Sequence, residues 1–137
     1  MGYYGILYLR YRGLQPEEAE QFKRLQTREA HATCENKHIT IVREYSERSE
    51  VESWNELTEF KKLLNHLRRN RRDYDYIIVW DYHRITMNYA DYQKLLETLD
   101  KLEIRLFMLR PNYYWPEFHD FIDDSNRDWF ERIDYKR

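Results

Sequence analysis

Hydrophobic residues in this chain form short apolar runs that alternate with longer amphipathic segments. The run "YYGILYLR" (3–10) is short, apolar and rich in aromatic residues, which predicts a strand buried on both faces. "HITIVREY" (38–45) alternates as a strand does, and "YDYIIVWDY" (74–82) holds four consecutive apolar residues. "EIRLFML" (103–109) predicts a further strand.

The segments between these runs have the period of a helix. Residues 16–30 begin with a proline, carry acidic residues at their amino end, and place Ala19, Phe22 and Leu25 on one face. Residues 51–70 predict a second helix and residues 89–102 a third. The apolar stripe of the second helix consists of Val51, Trp54, Leu57, Leu63, Leu64 and Leu67.

This alternation of strands and helices predicts the fold class. Crossover connections between strands favour a mostly parallel sheet of four to five strands with helices on both faces. Residues 1–110 are expected to form this α/β domain. Residues 111–137 form an aromatic and acidic C-terminal segment, with one helix from Pro116 onward, that packs on or extends the same domain.

Composition limits the functional classes. The 137 residues carry a net charge of −2, so nothing in the overall charge demands nucleic acid. Cys34 is the single cysteine, which excludes an internal disulfide and favours a reducing, cytoplasmic setting. No apolar run approaches the roughly 18 residues that span a membrane, and no signal-peptide pattern is present. No cofactor is expected.

The stretch "ILYLRYRGLQPEEAEQF" (6–22) has a layout that often presents a nucleophile or a bound phosphate. A strand ends, the chain turns, and a helix begins with Pro16 and two glutamates. No serine, threonine or cysteine stands at the strand end, where the residues are Arg10, Tyr11 and Arg12. The site therefore lacks an obvious nucleophile.

Several motifs resemble the serine recombinases (resolvases and invertases). "YLRYR" followed by "QFKRL" is similar to the strand of that family that ends in tyrosine–x–arginine–x–serine, and to the helix after it. "IVREYSERSEVESWNELTEFKKLL" resembles the family's second strand, mobile loop and helix, and "DYIIVWDYHRITMN" resembles the third strand with its aspartate–arginine–leucine–serine–arginine motif. "LDKLEIRLFML" matches the next helix and strand. The resemblance covers roughly residues 6–110 and implies a resolvase-like fold.

The resemblance also implies site residues. In the family a serine attacks a DNA phosphate, and several arginines stabilise the charge that develops on it. The family residues that are retained are Arg10, Gln21 and Arg84, and Glu44 replaces an aspartate. The candidates for phosphate binding are Arg10, Arg12, Gln21 and Arg84. The degenerate catalytic positions are Arg12 for the serine, His83 for an aspartate and Met87 for an arginine. A further arginine of the family falls on Trp54.

These departures leave alternatives open. Arg12 stays protonated and cannot attack phosphorus. Tyr11 points to the opposite face of the strand from Arg10. The other candidate nucleophiles are the hydroxyl groups of Thr86, Ser46 and Ser49, and the sequence shows no general base at a recognisable spacing from any of them. Arg10, Arg12 and Arg84 are either a retained phosphate pocket or surface and interface charges paired with Glu44 or Asp81.

Two further motifs each have two interpretations. His31, Cys34 and His38 have spacings compatible with zinc, but a fourth ligand is lacking and a polar helix-to-strand connection is favoured, so no metal is expected. The basic run "KKLLNHLRRNRR" (61–72) is either a phosphate footprint or a set of cations that complements the dipole at a helix C-terminus.

The C-terminal segment departs most from the family, because residues 111–137 contain no helix-turn-helix or zinc motif. Its candidate interface residues are Tyr113, Tyr114, Trp115, Phe118 and Trp129. The favoured hypothesis is therefore a catalytically inactive regulatory module from a phage or other mobile element that binds a protein partner or forms a homo-oligomer such as a dimer. The alternatives are a DNA-associated accessory factor, with weak DNA binding, and a DNA strand-exchange or phosphodiester-cleaving enzyme with a displaced nucleophile.

Overall fold

A computed structural model describes residues 2–11, 15–51, 53–80 and 89–109 of the chain. The predicted helix from Pro116 and the 111–137 segment lie outside these residues. Strands and helices alternate along the described part in the order β1 (Tyr3–Tyr11), α1 (Pro16–Asn36), β2 (Ile39–Arg48), α2 (Thr58–Asn70), β3 (Tyr76–Val79), α3 (Tyr89–Lys101) and β4 (Arg105–Met108).

The strands form one parallel, four-stranded sheet with the order β2-β1-β3-β4. This confirms the predicted fold class, an α/β domain with a parallel sheet. β1 lies inside the sheet, and its residues from Ile6 to Tyr11 are buried. Because parallel strands all begin at one edge, the sheet has an amino edge and a carboxyl edge, and Arg10 and Tyr11 lie at the carboxyl edge.

Two apolar cores lie on opposite faces of the sheet. On the first face, α2 and α3 cover Ile6 and Tyr8 of β1 and the matching residues of β3 and β4. On the second face, α1 contributes Ala30 and Cys34, which pack with Leu7 and Leu9. Successive residues of β1 therefore point alternately towards α2 and towards α1.

β2 contains one extra residue relative to β1. Gly5 pairs with Ile41, but Ile6 pairs with Arg43, so Val42 forms a bulge. Gly5 lies beside this bulge, and a Cβ added there would lie 2.3 Å from Ile78 Cδ1, so a larger residue would force the Ile78 side chain to move. Beyond the bulge, Glu44 faces α1 whereas Tyr45 and Glu47 face α2.

Several predicted boundaries and one predicted face were wrong. The second helix begins at Thr58 rather than at residue 51, because Trp54–Glu56 is a separate 3₁₀ turn. α1 continues to Asn36, beyond the predicted end at residue 30. Leu25 is 63% exposed rather than buried, because the buried side of α1 runs through Ala19, Gln26, Ala30 and Cys34.

Candidate functional site

Arg10 lies at the carboxyl edge of β1 and has no exposed surface. Its guanidinium points to the α2 face, where Nε donates a hydrogen bond of 3.2 Å to the backbone oxygen of Ser49 and Nη2 donates to the backbone oxygen of Val51. A buried guanidinium is costly unless its donors find acceptors. These two carbonyl groups, which belong to the connection after β2, supply acceptors.

The Ser49–Val51 segment is also attached to the end of β1. The Ser49 N–H donates to the Tyr11 backbone oxygen at 3.2 Å, and the Val51 N–H donates to Ser49 Oγ at 3.3 Å. The segment therefore covers Arg10 and occupies two of its donors with neutral acceptors. In this arrangement Arg10 fixes the β2–α2 connection, and an anion would reach those donors only after the segment moves away.

Glu47 is a central residue of this edge that the sequence reasoning missed. It stands opposite Arg10 in the β1–β2 register, and its carboxylate accepts a hydrogen bond of 2.7 Å from Tyr8 Oη. The same carboxylate accepts the N–H groups of Glu59 and Phe60 at 3.2 and 3.1 Å, which caps the first turn of α2. Burial, reinforced by Glu47, raises the pKa of Tyr8, so the phenol remains a donor.

Glu44, the acid expected beside the arginines of the site, is not beside Arg10. Glu44 is exposed and its Oε2 lies 3.4 Å from His31 Nε2, on the face that carries α1. It is not the partner of Arg10, which points to the other face. The bulge at Val42 places Glu44 on the α1 face, because one extra residue reverses the faces of the residues after it. No signal in the sequence marks this bulge.

The remaining candidates are dispersed or undescribed. Gln21 is exposed on α1. The Tyr11 ring contacts Phe22 with a centroid distance of 6.5 Å, which confirms that Tyr11 points away from Arg10. Ser49 Oγ accepts a hydrogen bond from the backbone N–H of Val51. The candidates that lie outside the described residues are Arg12, Asp81, His83, Arg84, Thr86, Met87, Tyr113, Tyr114, Trp115, Phe118 and Trp129.

Trp54, which takes the place of a family arginine, has a structural role. Its indole Nε1 donates a hydrogen bond of 2.8 Å to the backbone oxygen of Asp91 in α3. Its ring also packs on Phe60 of α2 with a centroid distance of 6.4 Å. The residue therefore connects two helices on the same face of the sheet, and an indole carries no charge for a phosphate.

His31, Cys34 and His38 are not arranged as the ligands of one metal ion. Cys34 is fully buried against the sheet, whereas His31 and His38 are exposed, and burial raises the pKa of the Cys34 thiol to about 11. Within the described ranges, no three His, Cys, Asp or Glu side chains are grouped as metal ligands. The helices in those ranges also include none with the length and apolar character needed to cross a membrane.

Comparison with known proteins gives a consistent family. The model of the family "Resolvase, N terminal domain" matches residues 6–125. A resolvase family site-specific recombinase from Streptococcus pneumoniae is similar in structure, with a TM-score of 0.61 and 16% identity over 93% of this chain and 82% of that one. A search of curated protein sequences found no match.

Two other solved structures are similar to the same extent. The N-terminal catalytic domain of TP901-1 integrase has a TM-score of 0.61 and 17% identity, over 96% of this chain and 99% of that one. The C-terminal catalytic domain of ISC1926 TnpA, an IS607-like serine recombinase, has a TM-score of 0.61 and 17% identity, over 86% of this chain and 76% of that one. At these identities the likeness concerns the fold.

Proposed function

The chain belongs to the resolvase N-terminal domain family, and we propose that it is a non-catalytic member that acts as a regulatory module by binding protein. The observation that carries this proposal is Arg12, which stands where the family resemblance places the nucleophilic serine. A guanidinium stays protonated at any working pH and forms no covalent link to phosphorus. His83 and Met87 replace two further residues of the family pattern.

The contacts of Arg10 support the proposal. An arginine that stabilises a phosphorane must direct its donors to the place where charge develops. Arg10 instead donates to the Ser49 and Val51 carbonyl groups and is fully buried. Backbone carbonyl groups thus hold two of its donors, so the retained arginine is not by itself evidence for retained chemistry.

The proposed partner surface is the C-terminal segment. Tyr113, Tyr114, Trp115, Phe118 and Trp129 supply large aromatic side chains within a segment that is acidic overall, which disfavours DNA phosphates and suits a protein interface. The proposed partner is a second copy of the chain or another recombinase-family protein. An origin in a phage or other mobile element is part of the same proposal.

A covalent-adduct assay tests the absence of catalysis. The protein is incubated with supercoiled plasmids that carry recombination sites of family members, and the products are separated on denaturing gels. We expect no protein–DNA adduct and no recombinant, and we expect Arg12→Ser alone to restore neither. An active serine recombinase on its own site is the positive control. An adduct formed by the wild-type chain would refute the proposal, and mapping it would identify the nucleophile.

A double substitution tests the interface. Tyr114→Ala with Trp115→Ala is expected to weaken self-association or partner capture by about thirtyfold, because truncating large interface aromatics often costs about 2 kcal/mol. Leu25→Ala with Val42→Ala is the matched control, since both side chains are exposed apolar residues. Circular dichroism verifies folding. If the aromatic variant behaves as the control does, the interface lies elsewhere.

A further inference from the structure

A basic stripe covers the solvent side of α2 and the turn that follows it. Residues 61–72 hold six lysines and arginines and no acidic residue. All six are exposed, while Phe60, Leu63, Leu64 and Leu67 turn inward to the core. The members of this basic stripe are Lys61, Lys62, Arg68, Arg69, Arg71 and Arg72.

The helix dipole does not account for this stripe. Cations are favourable near a helix C-terminus, which suits Arg68 and Arg69 in the last turn of α2. Lys61 and Lys62 lie near the N-terminal end, where the dipole disfavours cations. Arg71 and Arg72 follow the helix in a 3₁₀ turn. The stripe therefore extends beyond the part of the helix that benefits from positive charge.

Most of these side chains form no ion pair with the described residues. Lys62 forms an ion pair with Glu59 at 2.8 Å, and Arg68 donates to the neutral Asn65 Oδ1 at 2.9 Å. No carboxylate within the described part of the chain forms an ion pair with Arg69, Arg71 or Arg72.

His66 reports the same positive field. Burial lowers its pKa, and the charges of Arg43 and Arg69 lower it further, while the opposing effect of Asp73 is smaller. At His66, Asp73 therefore offsets only part of the effect of the two arginines, and two further acids, Asp75 and Glu103, line a depression together with Arg71 and Arg72.

The surface at the arginine end of the stripe carries three open, adjoining depressions. A depression of about 320 Å³ is lined by residues 68–73. Two neighbouring depressions, of about 360 and 400 Å³, share Arg72 with it and continue to Tyr4 on one side and to Glu103 on the other. These residues lie at the amino edge of the sheet, roughly 20 Å from Arg10, since six residues of strand at about 3.3 Å each separate Tyr4 from Arg10.

We propose that the basic stripe binds the phosphate backbone of duplex DNA, with its arginine end, Arg68 to Arg72, towards the edge of the sheet opposite Arg10. Guanidinium groups match phosphate oxygens in bidentate geometry, and a shallow surface accepts a convex backbone without reading bases. The stripe is roughly 16 Å long, which corresponds to about five base pairs. The proposal does not depend on whether the family site is active, because no residue is shared with that site.

Fluorescence anisotropy with a labelled random duplex of about 30 base pairs, between about 50 and 200 mM salt, tests this surface on the full chain. We expect weak, sequence-independent binding that falls steeply with salt. Arg69→Gln with Arg72→Gln should weaken binding by about tenfold or more at low salt and reduce the slope of log K against log salt by about 1 to 2. The matched control, Arg24→Gln with Arg28→Gln, removes the same charge from exposed positions on α1 and should retain binding.

A poly-glutamate titration at the same ionic strength separates phosphate from carboxylate partners. Loss of DNA binding in the stripe variant alone, with weaker binding of poly-glutamate, supports the proposal. Equal effects of the two double variants on DNA binding would overturn it, because the effect would then follow net charge and not position. Absence of DNA binding by the wild type, or tighter binding of poly-glutamate, would also overturn it.

Discussion

Tyr8 donates a hydrogen bond of 2.7 Å to Glu47, a residue 39 positions later on the neighbouring strand. The acceptor also receives two backbone N–H groups of α2. A single carboxylate therefore connects β1, β2 and the first turn of α2. Tyr8 additionally packs edge to face on Phe60, with a centroid distance of 4.9 Å, so polar and apolar contacts fix the same helix end.

Glu47→Ala is expected to reduce the free energy of unfolding by about 2 kcal/mol, because it removes a helix cap and leaves the buried Tyr8 hydroxyl without its acceptor. Urea denaturation followed by circular dichroism measures the change. Glu44→Ala is the matched control on the same strand and should change stability by less than about 0.5 kcal/mol, since Glu44 is exposed. Equal losses in both variants would contradict the role assigned to Glu47.

Arg10→Gln is expected to lower the free energy of unfolding by about 2 kcal/mol, because the shorter amide cannot serve both the Ser49 and the Val51 carbonyl groups. Arg24→Gln, at an exposed position on α1, provides the control in the same urea experiment. An arginine kept for ligand binding commonly reduces stability. A more stable Arg10→Gln variant would therefore indicate an anion site and not a structural contact.

Cys34 is expected to resist thiol reagents in the folded protein. It has no exposed surface, and burial raises the pKa of its thiol to about 11, so little thiolate is present near pH 8. Reaction with a chromogenic disulfide at about pH 8 should be slow in buffer and fast in denaturant. Fast labelling in buffer, with retained circular dichroism, would show that the α1–sheet core opens locally.

His66 is expected to make stability depend on pH. Its Nε2 lies 2.7 Å from the Tyr74 hydroxyl, and burial is the largest cause of its lowered pKa. The unfolded chain then binds more protons below about pH 6.5, so this contribution to stability decreases as the pH falls from there towards the folded pKa. Urea denaturation of wild type and His66→Gln should show a stability difference that changes over this window. A constant difference would disprove the coupling.

The pattern of apolar residues correctly predicted the elements that are buried on both faces. Ile77, Ile78 and Val79 are fully buried, and a strand buried on both faces appears in sequence as an unbroken apolar run. The start of α2 was harder to predict from the sequence, because Val51 and Trp54 pack on the same core although they precede the helix. Periodicity reports which side chains are buried, and it does not report which backbone groups form helical hydrogen bonds.

The candidate site was harder to predict than the fold. Arg10 was identified correctly as a residue of the carboxyl edge, but its carbonyl partners come from a connection whose path no pattern in the sequence encodes. The sequence pattern favoured Glu44 as the acid near Arg10, whereas Glu47 is the glutamate on the α2 face. A strand pattern with strict alternation cannot reveal an inserted residue, and the insertion at Val42 reverses the assignment of every later residue in β2.

β2 is an edge strand, and within the described ranges no strand pairs with its outer side. A regular edge of ten residues, with exposed Val42 near its middle, would be a template on which strands of other chains could pair and aggregate. The bulge interrupts the spacing of the backbone donors and acceptors along that edge, and it increases the local twist. An incoming strand therefore finds only short stretches in register, and the irregularity that positions Glu47 also protects the chain against edge-to-edge aggregation.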